Sequence, residues 1–244
     1  MKKIRLYTIL MFLMLCLSCE TRIQDNRRIV ITGKIQDQNG NPLEDINVIN
    51  GDAFFKLGSS QSDENGAFLL TSLSIDNGNF YEEEGFVSHR IKEININAIE
   101  NENNFGLIAS NNEYNQIKLI NDQAFTGVEI DLGIISLNKI GEYTINIDKG
   151  DYAGQDLTVV ISANSLFCGF ELQEVINSYE LSCDNLNAST QVRNLPAGND
   201  EESIENQALI GTSTHITIKD EEDEILFNQE YEINEAQEII NIIL

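Results

Sequence analysis

From residue 29 onward apolar and polar side chains alternate with a period of two, the mark of half-buried strands. Ile29, Ile31 and Ile35 share one face, Thr32, Lys34 and Gln36 the other, and Gly33 sits in the inner row, where a neighbour can approach closely. Ile94, Ile96 and Ala98 alternate with Asn95 and Asn97; Val128, Ile130, Leu132 and Ile134 with Glu129, Asp131 and Gly133. Tyr143, Ile145 and Ile147 alternate with Thr144, Asn146 and Asp148, and Thr214, Ile216 and Ile218 with His215 and Thr217. A last strand is expected over Ile239–Leu244. Helical periodicity is scarce, and its best stretch, Leu172–Leu181, is short.

Turn signals separate these runs: Asp37-Gln-Asn-Gly-Asn-Pro42, Asp63-Glu-Asn-Gly66, Asp76-Asn-Gly78, Asp148-Lys-Gly150 and Pro196-Ala-Gly198. Short strands with such turns predict β-sandwiches rather than βαβ units. The chain has 34 Ile, suited to pleated surfaces, and 29 Asn, suited to turns. A composition break near Asn138–Gly141 places the expected boundary between two all-β sandwich domains, residues 29–138 and 139–244.

Charge narrows the partners. The 244 residues hold 15 Lys and Arg against 40 Asp and Glu, a formal −25. Without Lys2, Lys3 and Arg5 the balance is 12 against 40, or −28. Nucleic acid is excluded as a partner, because binding it needs a cationic face. Adsorption to anionic lipid is disfavoured for the same reason.

The N-terminus reads as an address. Met1–Arg5 is basic, Leu6–Leu17 is apolar, Ser18 is small and Cys19 follows. The run is short for a membrane-spanning helix and fits a signal peptide over residues 1–18. A small residue before Cys behind a Leu-rich stretch resembles the lipobox of bacterial lipoproteins. That resemblance implies acyl chains on Cys19 and a membrane partnership through them. It departs from the stricter pattern at Cys16, where an aliphatic residue is usual. The competing readings are an ordinary cleaved signal with an incidental cysteine and an uncleaved anchor. The polar stretch from Cys19 to Arg28 reads as a tether.

Cys16 leaves with the signal, so Cys168 and Cys183 remain for the folded part. An even pair in an oxidising compartment predicts a disulfide, with two independent buried thiols as the alternative. The expected setting is the cell envelope, at the outer membrane, its periplasmic or surface face left open.

The stretch Ile31-Thr-Gly-Lys-Ile-Gln-Asp-Gln-Asn-Gly-Asn-Pro-Leu-Glu-Asp-Ile-Asn-Val48 resembles the opening of the carboxypeptidase regulatory-like domain, a transthyretin-like or prealbumin-like β-sandwich. Ser60-Gln-Ser-Asp-Glu-Asn-Gly-Ala-Phe-Leu-Leu70 matches the family's following hairpin, Gly85-Phe86 its Gly-Tyr pair, and Asp131–Leu137 its closing strand. The match is most specific over residues 31–73. It implies a sandwich module that is itself no peptidase, with Phe68 and Leu70 filling the space between sheets. Gly141-Glu-Tyr-Thr-Ile145 and Asn194-Leu-Pro-Ala-Gly198 echo phrases of prealbumin-like and related sandwiches, so the second half is expected to be a prealbumin-like or Ig-like sandwich.

Chemistry-bearing motifs are scarce. His89 and His215 lack the spacing of a zinc peptidase, and no nucleophile elbow or phosphate loop occurs. No catalytic, cofactor-binding or metal residue is therefore assigned. Calcium is the best small-ligand expectation, with Glu82–Glu84, Asp148/Asp151, Asp200–Glu202 and Asp220–Glu224 as the acidic clusters and a solvated turn as the alternative for the last. Two functions follow. One is a non-catalytic, lipid-anchored scaffold or binding module with an envelope protein or glycan as partner. The other is a carboxylate-dependent hydrolase of carbohydrate or peptide, using acids in residues 73–127 or in the second half.

Overall fold

The computed structural model describes residues 22–51, 55–76, 88–89, 93–101, 106–120, 125–126, 129–172, 180–181, 183 and 188–244. Their strands are β1 (Arg22–Asp37), β2 (Asn47–Gly51), β3 (Lys56–Gln61), β4 (Ala67–Asp76), β5 (Ser88–His89), β6 (Glu93–Ile96), β7 (Ala98–Asn101), β8 (Gly106–Ala109), β9 (Gln116–Ile120) and β10 (Phe125–Thr126). They continue as β11 (Glu129–Leu137), β12 (Ile140–Asp148), β13 (Leu157–Asn164), β14 (Phe167–Glu171), β15 (Glu180–Leu181), β16 (Ala188–Leu195), β17 (Glu201–Leu209), β18 (Thr212–Lys219), β19 (Ile225–Ile233) and β20 (Gln237–Ile243). The fold is all-β, built on two hydrophobic cores.

In the first sandwich, sheets ordered β15-β11-β1-β4 and β14-β9-β6-β2-β3 enclose one core. Ile29, Ile31, Phe68, Leu70 and Ile130 enter it from one sheet, Val48, Ile94, Ile96, Ile117 and Leu119 from the other. The second sandwich pairs β17-β12-β20 with β16-β13-β18-β19 around a separate core of Tyr143, Ile145, Ile147, Val159, Ile161, Ile216, Ile218, Ile240 and Ile242. Each such fully buried Ile or Val side chain contributes ~1.5–3 kcal/mol, so the alternation in β12 and β18 is itself the main stabilising term.

Three features depart from simple alternation. A Cβ added to Gly33 would lie 2.8 Å from Phe68 Cε1, so the Phe68 ring occupies the space that glycine leaves. In β11 the phase reverses at Gly133 (φ 65°), opposite a register shift between Thr32 and Lys34. Ile135 and Leu137 are buried in consequence, and Ile134, expected inside, is 38% exposed. Asn95 and Asn97, expected on the polar face, are buried. Asn95 Nδ2 donates to Gly51 O at 2.8 Å. Asn97, at φ 59°, donates to Asn111 O and Tyr114 O at 2.9 Å each and accepts the Asn111 N–H at 2.7 Å. Burial without such bonds costs several kcal/mol, so this loop is built around the amide.

The sandwiches are joined twice. Only Asn138 and Lys139 separate β11 from β12. The boundary expected at residue 138 leaves residues 165–183 in the second domain; the structure places the described part of them in the first. There β14 runs parallel to β9 and β15 parallel to β11, and Cys168, Leu172 and Cys183 lie in the first core. The connection between β13 and β16, two paired strands of the second sandwich, thus detours through the first. Of the short helix expected over Leu172–Leu181, residues 173–179 lie outside the described residues, and Glu180–Leu181 are strand.

Candidate functional site

A cleft of about 960 Å³ lies on the second sandwich beside the detour. β12, β17 and β20 line it from one sheet, β16 from the other, and Asn164–Phe167 close it toward the first sandwich. The alternation that sends Ile145 and Ile240 into the core turns Glu142, Thr144, Gln237 and Ile239 outward to this surface.

Three polar side chains bond one another at its floor. Gln191 Nε2 on β16 donates to Asn206 Oδ1 on β17 at 3.1 Å, and Asn206 Nδ2 donates to Tyr143 Oη on β12 at 3.0 Å. The amide of Asn206 therefore ties the two sheets together where their edges meet. Tyr143 is 1% exposed. Burial raises its pKa, and hydrogen bonding with Asn206 opposes that only in part, so the phenol stays neutral and serves as a fixed polar contact. The cleft is also lined by the carboxylates of Glu142, Glu205 and Glu238, the amides of Gln207 and Gln237, and the guanidinium of Arg193.

These groups can bind hydroxyls and amides by hydrogen bonds. None of the described lining residues is His or Cys. Ser165 is committed, its Oγ donating to Phe167 O at 2.7 Å and accepting the Phe167 N–H at 3.1 Å. A nucleophile held by an imidazole base is therefore not assembled among the described lining residues.

Cys168 and Cys183 form the expected disulfide, with Cα atoms 6.0 Å apart. It closes 15 residues within the detour and sits in the first core. Cys19, the lipidation candidate, lies outside the described residues, as do Glu82–Glu84. The cleft and the disulfide share only the detour: Phe167 lines the cleft and Cys168 is buried behind it.

Asp220 and Asp148 of the remaining acidic clusters accept backbone N–H groups of their own turns. Asp220 Oδ1 accepts the N–H groups of Glu222 and Glu224, both at 2.9 Å. Asp37 does the same for Asn39 and Asn41, and Asp63 for Asn65 and Ala67. Asp148 Oδ1 accepts the Gly150 N–H at 3.0 Å. Among the described residues no group of three or more His, Cys, Asp or Glu side chains is arranged to hold a metal ion. His215 is exposed on β18, opposite Glu230, and is not brought to the cleft.

The sequence does not announce the cleft. Gln191, Asn206 and Tyr143 lie on three strands spread over 64 residues, and nothing local marks two amides and a phenol as partners.

No protein-family model matches the chain, and no curated protein does. Solved structures similar to the chain include the Bacillus anthracis TIE protein, 14% identical over 89% of this chain and 33% of that one, with a TM-score of 0.27. The chain spans about a third of the length of that protein. The streptococcal ancillary pilin is 9% identical over 90% of this chain and 63% of that one, with a TM-score of 0.29. The shaft pilin SpaA of Lactobacillus rhamnosus GG is 9% identical over 89% and 97%, with a TM-score of 0.24.

Proposed function

We propose that the chain is a non-catalytic binding or scaffold module, held at the outer membrane of a bacterial cell envelope by acyl chains on Cys19. The observation that carries the binding role is the cleft, lined by amides and carboxylates together with the hydrogen-bonded set Gln191, Asn206 and Tyr143. Such a surface offers preorganised hydrogen bonds to a hydroxyl- or amide-rich partner, a glycan or an envelope protein. The buried Cys168–Cys183 bridge supports an oxidising compartment. The tether from Cys19 to Arg28 would connect lipid to β1. A module of the carboxypeptidase regulatory-like type remains the reading of residues 31–73.

The test is recovery of the acylated protein from envelope membranes, with intact-mass analysis of Cys19 and identification of co-purifying glycan and protein. A bare Cys19 sulfur removes the anchor; absence of any reproducible partner removes the binding role.

A carboxylate-dependent hydrolase is the second reading, favoured by one observation: Glu142, Glu205 and Glu238 line the same cleft. Turnover of carbohydrate or peptide substrates that disappears in Glu142→Gln, Glu205→Gln or Glu238→Gln would establish it.

A further inference from the structure

β20 ends its sheet, running parallel to β12. Glu142 N–H donates to Ala236 O, and Leu244 N–H to Asp148 O, each at 2.9 Å. In a parallel ladder the bonding residues of a strand alternate, so residues 238, 240 and 242 also direct their backbone groups to β12. Gln237, Ile239, Asn241 and Ile243 direct theirs outward, and among the described residues no strand pairs with that side. Ile239 and Ile243 are 68% and 79% exposed.

Three other edges carry charges that discourage pairing. β17 holds Glu201, Glu202 and Glu205, β19 holds Glu230 and Glu232, and β3 begins at Lys56. β20 has one charged residue, Glu238, and its register with β12 is unbroken from Gln237 to Ile243. An Ile-rich edge of unbroken register with few charges is a template for another strand. A polar ladder leads to it across the sheet's outer face. Ser203 Oγ donates to Asn146 Oδ1 at 3.0 Å and Asn146 Nδ2 to Asn241 Oδ1 at 3.1 Å, which leaves the Asn241 amide nitrogen as the next donor.

Charge selects the partner. Residues 139–244 contain 21 Asp and Glu against 4 Lys and Arg. Of those cations Lys149 is buried and Lys219 stands 3.4 Å from Asp223. A second copy would bring two strongly acidic bodies together, whereas a cationic strand is attracted.

We propose that the outer edge of β20 receives an extended, cationic segment of a partner polypeptide as an added strand. Backbone bonds to Gln237, Ile239, Asn241 and Ile243 supply affinity, apolar side chains lie beside Ile239 and Ile243, and basic side chains answer Glu238 and the surrounding acids. The inference goes beyond the tethered-module reading, because it needs this edge and not the anchor.

The test is residue-resolved amide exchange of the full chain with two synthetic ten-residue peptides, one alternating Lys and Val, the other Glu and Val. The Lys peptide slows exchange of the Ile239, Asn241 and Ile243 N–H groups by about tenfold or more at low salt, and less at high salt; the Glu peptide does not. Asn241→Pro abolishes the slowing at Ile239 and Ile243 without loss of the fold, since the N–H it removes faces outward. The double variant Ile239→Lys, Ile243→Lys, which keeps every backbone donor, weakens the Lys peptide by about tenfold. No slowing at millimolar Lys peptide, or undiminished binding by Asn241→Pro, overturns the proposal. So does a dimer of the native chain that Asn241→Pro dissolves, which gives the edge to a second copy. Acylation of Cys19 is untouched by any of these outcomes, so the envelope reading stands or falls separately.

Discussion

Asn115 Nδ2 donates to Cys183 Sγ at 2.8 Å in the core of the first sandwich. Its Oδ1 accepts the Asn138 N–H, also at 2.8 Å. One buried amide thus connects the disulfide of the detour to the two-residue link between sandwiches. The neighbouring bonds reinforce that link: Ile140 N–H to Glu113 O at 2.8 Å, Ile210 N–H to Lys139 O at 2.8 Å, and Lys139 N–H to Gln38 Oε1 at 3.0 Å. The sandwiches are therefore held by backbone pairing on both sides of the joint.

Removing the bridge frees the detour. Cys168→Ala with Cys183→Ala lifts a closure of 15 residues and is expected to cost about 3 kcal/mol. Asn115→Ala, with the bridge intact, is expected to cost about 1–3 kcal/mol through the buried groups it leaves without their partner. Urea midpoints of the two variants against the native chain measure both. An Asn115→Ala midpoint equal to native would show that the amide is incidental to the joint.

Gly33 and Phe68 test the close approach in the first core. Gly33→Ala places a methyl carbon about 2.8 Å from Phe68 Cε1 and 3.3 Å from Gly133 O, so the ring must move. Overpacking of this kind costs about 1–3 kcal/mol. Phe68→Leu alone also destabilises, but in the double variant the smaller side chain makes room for the methyl. A double-mutant cycle is expected to show favourable coupling; strict additivity would mean that the two side chains do not compete for the same space.

This pair also marks how far the sequence could be read. Gly33 in an inner row of Ile residues already signals that something approaches it, and period two in β12 and β18 sets the inward face of the second sandwich. The reversal at Gly133 is not legible, because a bulge depends on pairing with β1 rather than on β11 alone. Asn97 is not legible either: an amide in an alternating run looks solvent-facing until the loop that surrounds it is formed. The detour was hidden for a related reason, since β14 and β15 find their partners about 50 residues away in sequence. Of the cleft, only the outward polar row of β12 was visible beforehand.

Lys149 is a buried cation with two fixed acceptors. It is 0% exposed, and Nζ donates to Gln155 O at 3.0 Å and to Pro196 O at 2.8 Å. It thereby fastens the β12–β13 connection to the β16–β17 connection. Lys149→Ala leaves two carbonyls unsatisfied and a cavity, and is expected to cost about 3–5 kcal/mol. Lys149→Met fills the volume without the charge and is expected to recover about half of that. Chemical unfolding followed at Tyr143 and Tyr152 reads the second sandwich. Equal losses in the two variants would make the hydrogen bonds, not the packing, the dominant contribution.

Asp37 supplies a pH dependence whose sign the turn determines. Partial burial raises its pKa, but the hydrogen bonds from the Asn41 side chain and from the N–H groups of Asn41 and Asn39 together outweigh it, and the net shift is below the ordinary 3.8. Oδ1 accepts the two N–H groups at 2.8 Å each and Oδ2 accepts Asn41 Nδ2 at 2.9 Å. The folded state therefore holds fewer protons at this site than the unfolded chain near pH 4. Its contribution is fully present above the unfolded pKa of about 3.9 and is lost as pH falls through the lower folded value. Asp37→Asn keeps an acceptor for the turn but removes the charge. The variant is expected to be less stable than the native chain near neutral pH, with the difference narrowing as pH falls below about 4. Urea unfolding at pH values from neutral down to about 2 measures the two curves. Curves that stay parallel across that window would show that the carboxylate charge does not stabilise the turn.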